Sequence, residues 1–123
     1  MRILVIDPIL FLAPVLVQRL VLDGHEVVYA PIWGPKSDSP FMDALCRGTG
    51  AKVDPEGWMN WLDWAEVATL TGSEHRGHIT TFLRKAGVPV SGPGPWGVRL
   101  ELDREFGHEQ FRQAGLNPST QHV

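Results

Sequence analysis

The apolar pattern begins with Arg2 to Ile6, an uninterrupted β-branched and aliphatic run, which is how a strand buried on both faces reads. After Pro14, whose fixed φ suits a first helical turn, Val15, Leu16, Leu20 and Leu22 recur at near-helical spacing until Asp23-Gly24 stops them. His25 to Ala30 predicts a second strand. Strand, helix and strand thus fill about thirty residues, one βαβ unit. Pro31 to Val53 is irregular around one short helix, with Ser39-Pro40 as cap and first residue and Gly48 as stop. Asp54-Pro55 repeats that device ahead of Trp58, Trp61, Leu62 and Trp64, again at helical spacing.

The chain is organised around Trp64 to Leu116. Two apolar runs there, Glu66 to Thr71 and Val88 to Ser91, each stop at glycine and open into a helical pattern, the mark of the carboxyl edge of a parallel sheet. Between them Ser73 caps a predicted helix with Glu74, His75, Arg76 and His78 in its first turn. Its apolar face is Ile79, Phe82, Leu83 and Ala86, before Gly87. A stiff turn, Gly92-Pro93-Gly94-Pro95, precedes two helices, Trp96 to Leu102 and Asp103 to Ala114, with Asp103 as cap and Gly115 as stop. The expected fold is α/β: a small doubly wound, Rossmann-like, four-stranded parallel sheet with helices on both faces over residues 1–93, followed by a helical segment over 94–123. Ligands of such sheets bind beyond the carboxyl ends of the strands, so the candidate functional stretches are Gly72 to Glu74 and Gly92 to Arg104.

Composition narrows the classes. A length of 123 residues gives one domain, and 43% apolar with 20% charged residues is ordinary for a globular chain. A net charge of -3 without a Lys/Arg cluster argues against a nucleic-acid partner, since phosphate binding needs clustered cations. The longest apolar run, Ile9 to Val17, is too short to span a bilayer and holds Pro14. No signal-peptide cleavage site follows the amino-terminal run, and the lone Cys46 has no disulfide partner within the chain, which together give a cytoplasmic expectation.

Chemistry is sparse. The segment Asp7 to Pro14 contains no glycine, whereas dinucleotide folds need glycines after the first strand for the backbone to approach a pyrophosphate. Ile9 to Leu12 reads instead as an apolar plug over the sheet edge or as part of a partner interface. The tryptophan stripe reads as core or interface, because Asp63 and Glu66 stand where a base-stacking platform carries cations. At the start of the third helix, Arg76 beside unpaired amides suits an anion; the alternative is that Glu74 complements the helix dipole and His75 and His78 face water. The two histidines share a helical face, but a single cysteine and no HExxH or CxxC pattern give no metal site, and no nucleophile elbow gives no catalytic residue.

Residues from Glu66 onward carry a resemblance. Gly72-x-Glu74, then Ala86-Gly87-Val88-Pro89-Val90-x-Gly92-Pro93, Leu100-Glu101-x-x-Arg104-x-Phe106 and Ala114-Gly115-Leu116-x-Pro118-Ser119-Thr120 resemble the amino-terminal, pre-ATP-grasp part of glycinamide ribonucleotide synthetase. That enzyme is also called phosphoribosylamine-glycine ligase, a purine-biosynthesis ligase of the ATP-grasp superfamily. Ser73 stands where the family has proline, and Arg104 where it has lysine. The resemblance implies a substrate-side domain, inactive alone, in which Gly72, Glu74, Arg76, Gly92 and Pro93 border substrate and Arg104 lies next to nucleotide. It implies ATP and magnesium, held only with ATP-grasp lobes supplied in cis or in trans. The family's glycine-rich loop after the first strand has no counterpart here. The other reading is a non-catalytic interaction module, oligomeric through Trp58, Trp61 and Trp64 or through Ile9 to Leu12.

Overall fold

The computed structural model describes residues 1–8, 13–32, 40–72, 77–92 and 94–116, apart from the side chains of Met42 and Glu101. Five parallel strands form one sheet in the order β3-β2-β1-β4-β5: β1 Arg2–Asp7, β2 Glu26–Pro31, β3 Lys52–Val53, β4 Val67–Leu70 and β5 Val90–Ser91. The helices are α1 Ala13–Leu22, α2 Pro40–Arg47, α3 Gly77–Lys85, α4 Pro95–Leu102 and α5 Arg104–Gln113, with one 3-10 turn at Trp58–Trp61. The α/β class and doubly wound topology expected from the pattern are present, with one strand more than expected. That strand is β3, whose two residues pair Lys52 with Val28 and Val53 with Tyr29. A ladder of two residues is too short to print a period on the sequence.

Side-chain alternation sorts the strands into two cores. Leu4, Ile6, Val28, Ala30, Ala68 and Leu70 point to the face covered by Ile79 and Leu83 of α3. Ile3, Val5, Val27 and Tyr29 point to the other face, against Ala13 and Val17 of α1 and Cys46 of α2. Because both faces are covered, β1 and β2 carry continuous rather than alternating apolar runs. The expected fourth strand shortens at its start because the Val88 amide donates to the Leu83 carbonyl at 3.0 Å, closing α3, while the Pro89 carbonyl accepts from Ala68 at 2.9 Å.

The tryptophans pack inward rather than outward. Trp58 meets Phe82 edge-on at 5.6 Å, Trp61 meets Trp64 at 5.6 Å, and the Trp61 Nε1 donates to Asp54 at 2.7 Å. All three lie half-buried around the α3 face. The expected helix there contracts to a single 3-10 turn.

At the end of the chain, Asp103 caps α5: its carboxylate accepts from the Phe106 amide at 3.1 Å. Gly115 closes the helix with φ +80°, a conformation in which a side chain is strained. Asp103→Ala is expected to cost about 1 kcal/mol, read as a lowered thermal midpoint with loss of helical ellipticity.

Candidate functional site

The strand order reverses between β1 and β4, which makes their carboxyl ends the switch point of the sheet. The residue standing there is Asp7, fully buried. Its Oδ2 accepts from the Tyr29 hydroxyl of β2 at 2.5 Å, and its Oδ1 accepts from the Thr71 hydroxyl, just beyond β4, at 2.9 Å. Its backbone carbonyl accepts from the Ile32 amide at 2.7 Å. One carboxylate therefore ties together the ends of three strands. Burying it is tolerable because each oxygen has a donor; without donors the cost would be several kcal/mol.

The same cluster reaches α2. Cys46 is 1% exposed and its thiol is pushed up to about 11, first by burial and then by the negative charge of Asp7, with the Tyr29 hydroxyl opposing. The Tyr29 hydroxyl is held well above its ordinary range, again chiefly by burial, then by its hydrogen bond to Asp7 and that group's charge. Cys46 is thus an inert core thiol, since the thiolate is the reactive form.

Of the residues expected at the site, Gly72 and Gly92 come to one edge. Gly72 follows β4; Gly92 follows the neighbouring β5 with φ +151°, and a Cβ on it would stand 3.1 Å from both Leu70 Cβ and Thr80 Cγ2. Glycine here allows the chain to turn against β4. Glu74, Arg76 and Pro93, with Ser73, His75 and Ile9 to Leu12, lie outside the described residues. Arg104 opens α5 directly after Asp103. Asp103 lines an open groove of about 510 Å³ together with Gly77, His78, Pro95, Val98, Arg99 and Leu102. The corner bearing Arg104 therefore adjoins the start of α3. His78 lies exposed on that groove, and among the described residues no three metal-ligating side chains stand together.

Sequence reasoning missed two contributors. The first is the Asp7–Tyr29–Thr71 cluster, whose members lie 22 and 64 residues apart along the chain. Its only trace in the sequence was an acidic residue closing an apolar run. The second is Arg84, whose Nη2 donates to the Gly92 carbonyl at 3.0 Å and so supports the turn after β5. Nothing in its helical neighbourhood distinguished it from a solvated cation.

The α4–α5 pair is joined to this edge through glycine. A Cβ on Gly77 would lie 2.8 Å from Gly94 C and Pro95 N, so the starts of α3 and α4 touch backbone to backbone. Gly107 likewise lets α5 lie on α4, with the Leu100 carbonyl 2.9 Å from where a Cβ would stand. Trp96 packs edge-on to Phe106 at 6.1 Å while remaining 59% exposed, and Leu102, Phe111 and Leu116 are exposed as well. Among the described residues no helix is long and apolar enough to cross a membrane.

Compared with family models, curated proteins and solved structures, the chain finds no match in any of the three.

Proposed function

We propose that this chain is the substrate-side, amino-terminal domain of an ATP-dependent carboxylate-amine ligase resembling phosphoribosylamine-glycine ligase. On this reading the carboxyl edge holds an acceptor, and ATP with magnesium is held by ATP-grasp lobes in cis or in trans. The observation that carries the reading is the backbone contact of Gly77 with Gly94-Pro95. It seats the α4–α5 pair at the sheet edge where ligands of doubly wound folds bind. It is supported by the exposed Trp96, Leu102 and Phe111 on that pair and Leu116 just after it, apolar side chains of the kind a docking lobe buries. Gly72, Glu74, Arg76, Gly92 and Pro93 then border the acceptor, and Arg104 faces nucleotide phosphate with a planar fork in place of a point charge.

The chemistry follows from the division of labour. A ligase of this kind converts a carboxylate to an acyl phosphate on the ATP-bearing lobes and passes the acyl group to an amine. The domain described here orients that amine and excludes water from the reactive acyl group. Adding the ATP-binding lobes of a ligase of the resembled family in trans is expected to restore ATP hydrolysis that depends on an amine acceptor. Glu74→Ala and Arg104→Ala are each expected to lower that rate by about tenfold or more, the size of a lost charge-assisted contact. If neither substitution changes the restored rate, the site assignment is wrong.

A further inference from the structure

We propose that the amino edge of the sheet, at the starts of β2 and β3, holds a binding cleft for a free α-amino acid with an aromatic or large apolar side chain. This cleft lies at the opposite end of the strands from the edge where the acceptor is proposed to bind, so it stands independently of the ligase reading. Its volume is about 380 Å³, within the range of pockets that take a small molecule. Trp61, Trp64, His25, Glu26 and Lys52 line it together with the buried Val28.

Two features select the ligand. The first is an aromatic corner. Trp61 and Trp64, both half-buried, meet at 5.6 Å with their planes 79° apart, a surface that suits a flat or apolar side chain. The corner is fixed from behind: the Trp61 Nε1 donates to Asp54 at 2.7 Å, and the Trp64 carbonyl accepts from the Arg2 Nε at 2.7 Å. The second feature is a carboxylate and an ammonium that share a face without pairing. Lys52 is the register partner of Val28, and Glu26 stands two residues before Val28 on β2. Strand spacing and rise therefore put the Cα atoms of Glu26 and Lys52 roughly 8 Å apart on one side of the sheet. The Lys52 Nζ lies 4.7 Å from the centre of the Trp61 ring, and among the described residues Glu26 enters no ion pair. Arg2, its register partner on β1, is engaged by Glu66 at 3.5 Å. A ligand with only a negative charge is attracted by Lys52 and opposed by Glu26, and one with only a positive charge meets the reverse. A zwitterion satisfies both, its carboxylate toward Lys52 and its ammonium toward Glu26, with its side chain against the tryptophans. Both protein groups are exposed, so each contact is expected to contribute roughly tenfold in affinity, the lower end for a hydrogen bond to a charged group.

The test uses three probes with one side chain: L-phenylalanine, N-acetyl-L-phenylalanine, which lacks the ammonium, and L-phenylalaninamide, which lacks the carboxylate. Each is titrated into the isotope-labelled chain while the indole N–H of Trp61 and the amides of Gly50 and Lys52 are followed by NMR. Phenylalanine is expected to give saturable shifts at these positions, with each blocked form about tenfold weaker or more. Glu26→Gln is expected to remove the preference over the acetylated form and keep that over the amide; Lys52→Met is expected to do the opposite. Equal or tighter binding of either blocked form to the natural chain overturns the proposal. So does the absence of saturable shifts with phenylalanine, or a pair of folded variants that leave both preferences unchanged. If a variant does not fold, the ranking of the three probes on the natural chain decides alone. Shifts of the same resonances on dilution without ligand would identify the cleft as a contact between copies of the chain and overturn the proposal as well. No ATP-binding lobe enters the experiment, so a failed reconstitution of the ligase leaves this result untouched.

Discussion

Replacing Gly77 by alanine is expected to destabilise the chain by about 1 kcal/mol, against the direction of helix propensity. Propensity alone favours alanine over glycine in a helix by up to about 1 kcal/mol. The new Cβ, however, would stand 2.8 Å from Gly94 C and Pro95 N and 2.9 Å from Gly94 O. These are backbone atoms, so no side-chain rotation relieves the clash, and the start of α4 must move away from α3. Overpacking of this kind costs about 1–3 kcal/mol, which outweighs the propensity gain and decides the sign. Urea unfolding gives the stability change, and amide shifts across Gly94 to Val98 report the displacement of α4. A Gly77→Ala chain as stable as the natural one would show that the two helix starts are not in contact. Under the proposed ligase reading the same variant also weakens coupling to the ATP-binding lobes, because the α4–α5 pair carries their seat.

Stability is expected to fall by about 3 kcal/mol or more between pH 8 and pH 11. The Cys46 thiol is raised from its ordinary value of 9.0 to about 11 in the folded chain, and the Tyr29 hydroxyl is raised as well. Below pH 9 both groups keep their protons folded and unfolded, and their contribution is fully present. Between pH 9 and about 11 the unfolded chain releases the thiol proton while the folded chain retains it, so stability declines as pH rises. For a raised acid the loss begins at the unfolded value and is complete at the folded one. Two pH units correspond to about 3 kcal/mol for Cys46, and Tyr29 adds in the same direction above pH 10. Chemical unfolding at the two pH values measures the loss, and Cys46→Ala is expected to reduce it. Flat stability up to pH 11 would mean that neither group is buried as described.

The elements that were legible in the sequence are those whose boundaries are chemical. Asp23-Gly24 after α1, Pro40 at the start of α2, Asp103 before α5 and Gly115 after it act within a turn of their own position, so a local reading recovers them. The continuous run of β1 and the apolar segments stopping at Gly72 and Gly92 likewise announced a parallel sheet, because burial on both faces removes alternation. What was not legible depended on partners far along the chain. β3 exists only because β2 presents Val28 and Tyr29 to it, and the tryptophan segment contracts to a 3-10 turn because Phe82, Asp54 and the α3 face draw its rings inward.

The candidate site divides the same way. Gly72 and Gly92 were visible as strand stops, but that β4 and β5 are neighbours, and that Arg84 reaches the Gly92 carbonyl, required the fold. Taken by itself the sequence determined the α/β class, the order of the elements apart from β3, and the Asp103 cap and Gly115 stop of α5, because each depends on hydrophobic period and backbone chemistry over a few residues. Only the tertiary structure decided that buried Asp7, Tyr29 and Cys46 and half-buried Thr71 form one polar cluster at the switch point. A buried carboxylate is tolerated where donors converge on it, and the convergence of a hydroxyl from β2 and one from beyond β4 on the end of β1 is a property of the folded sheet, not of any one of those segments.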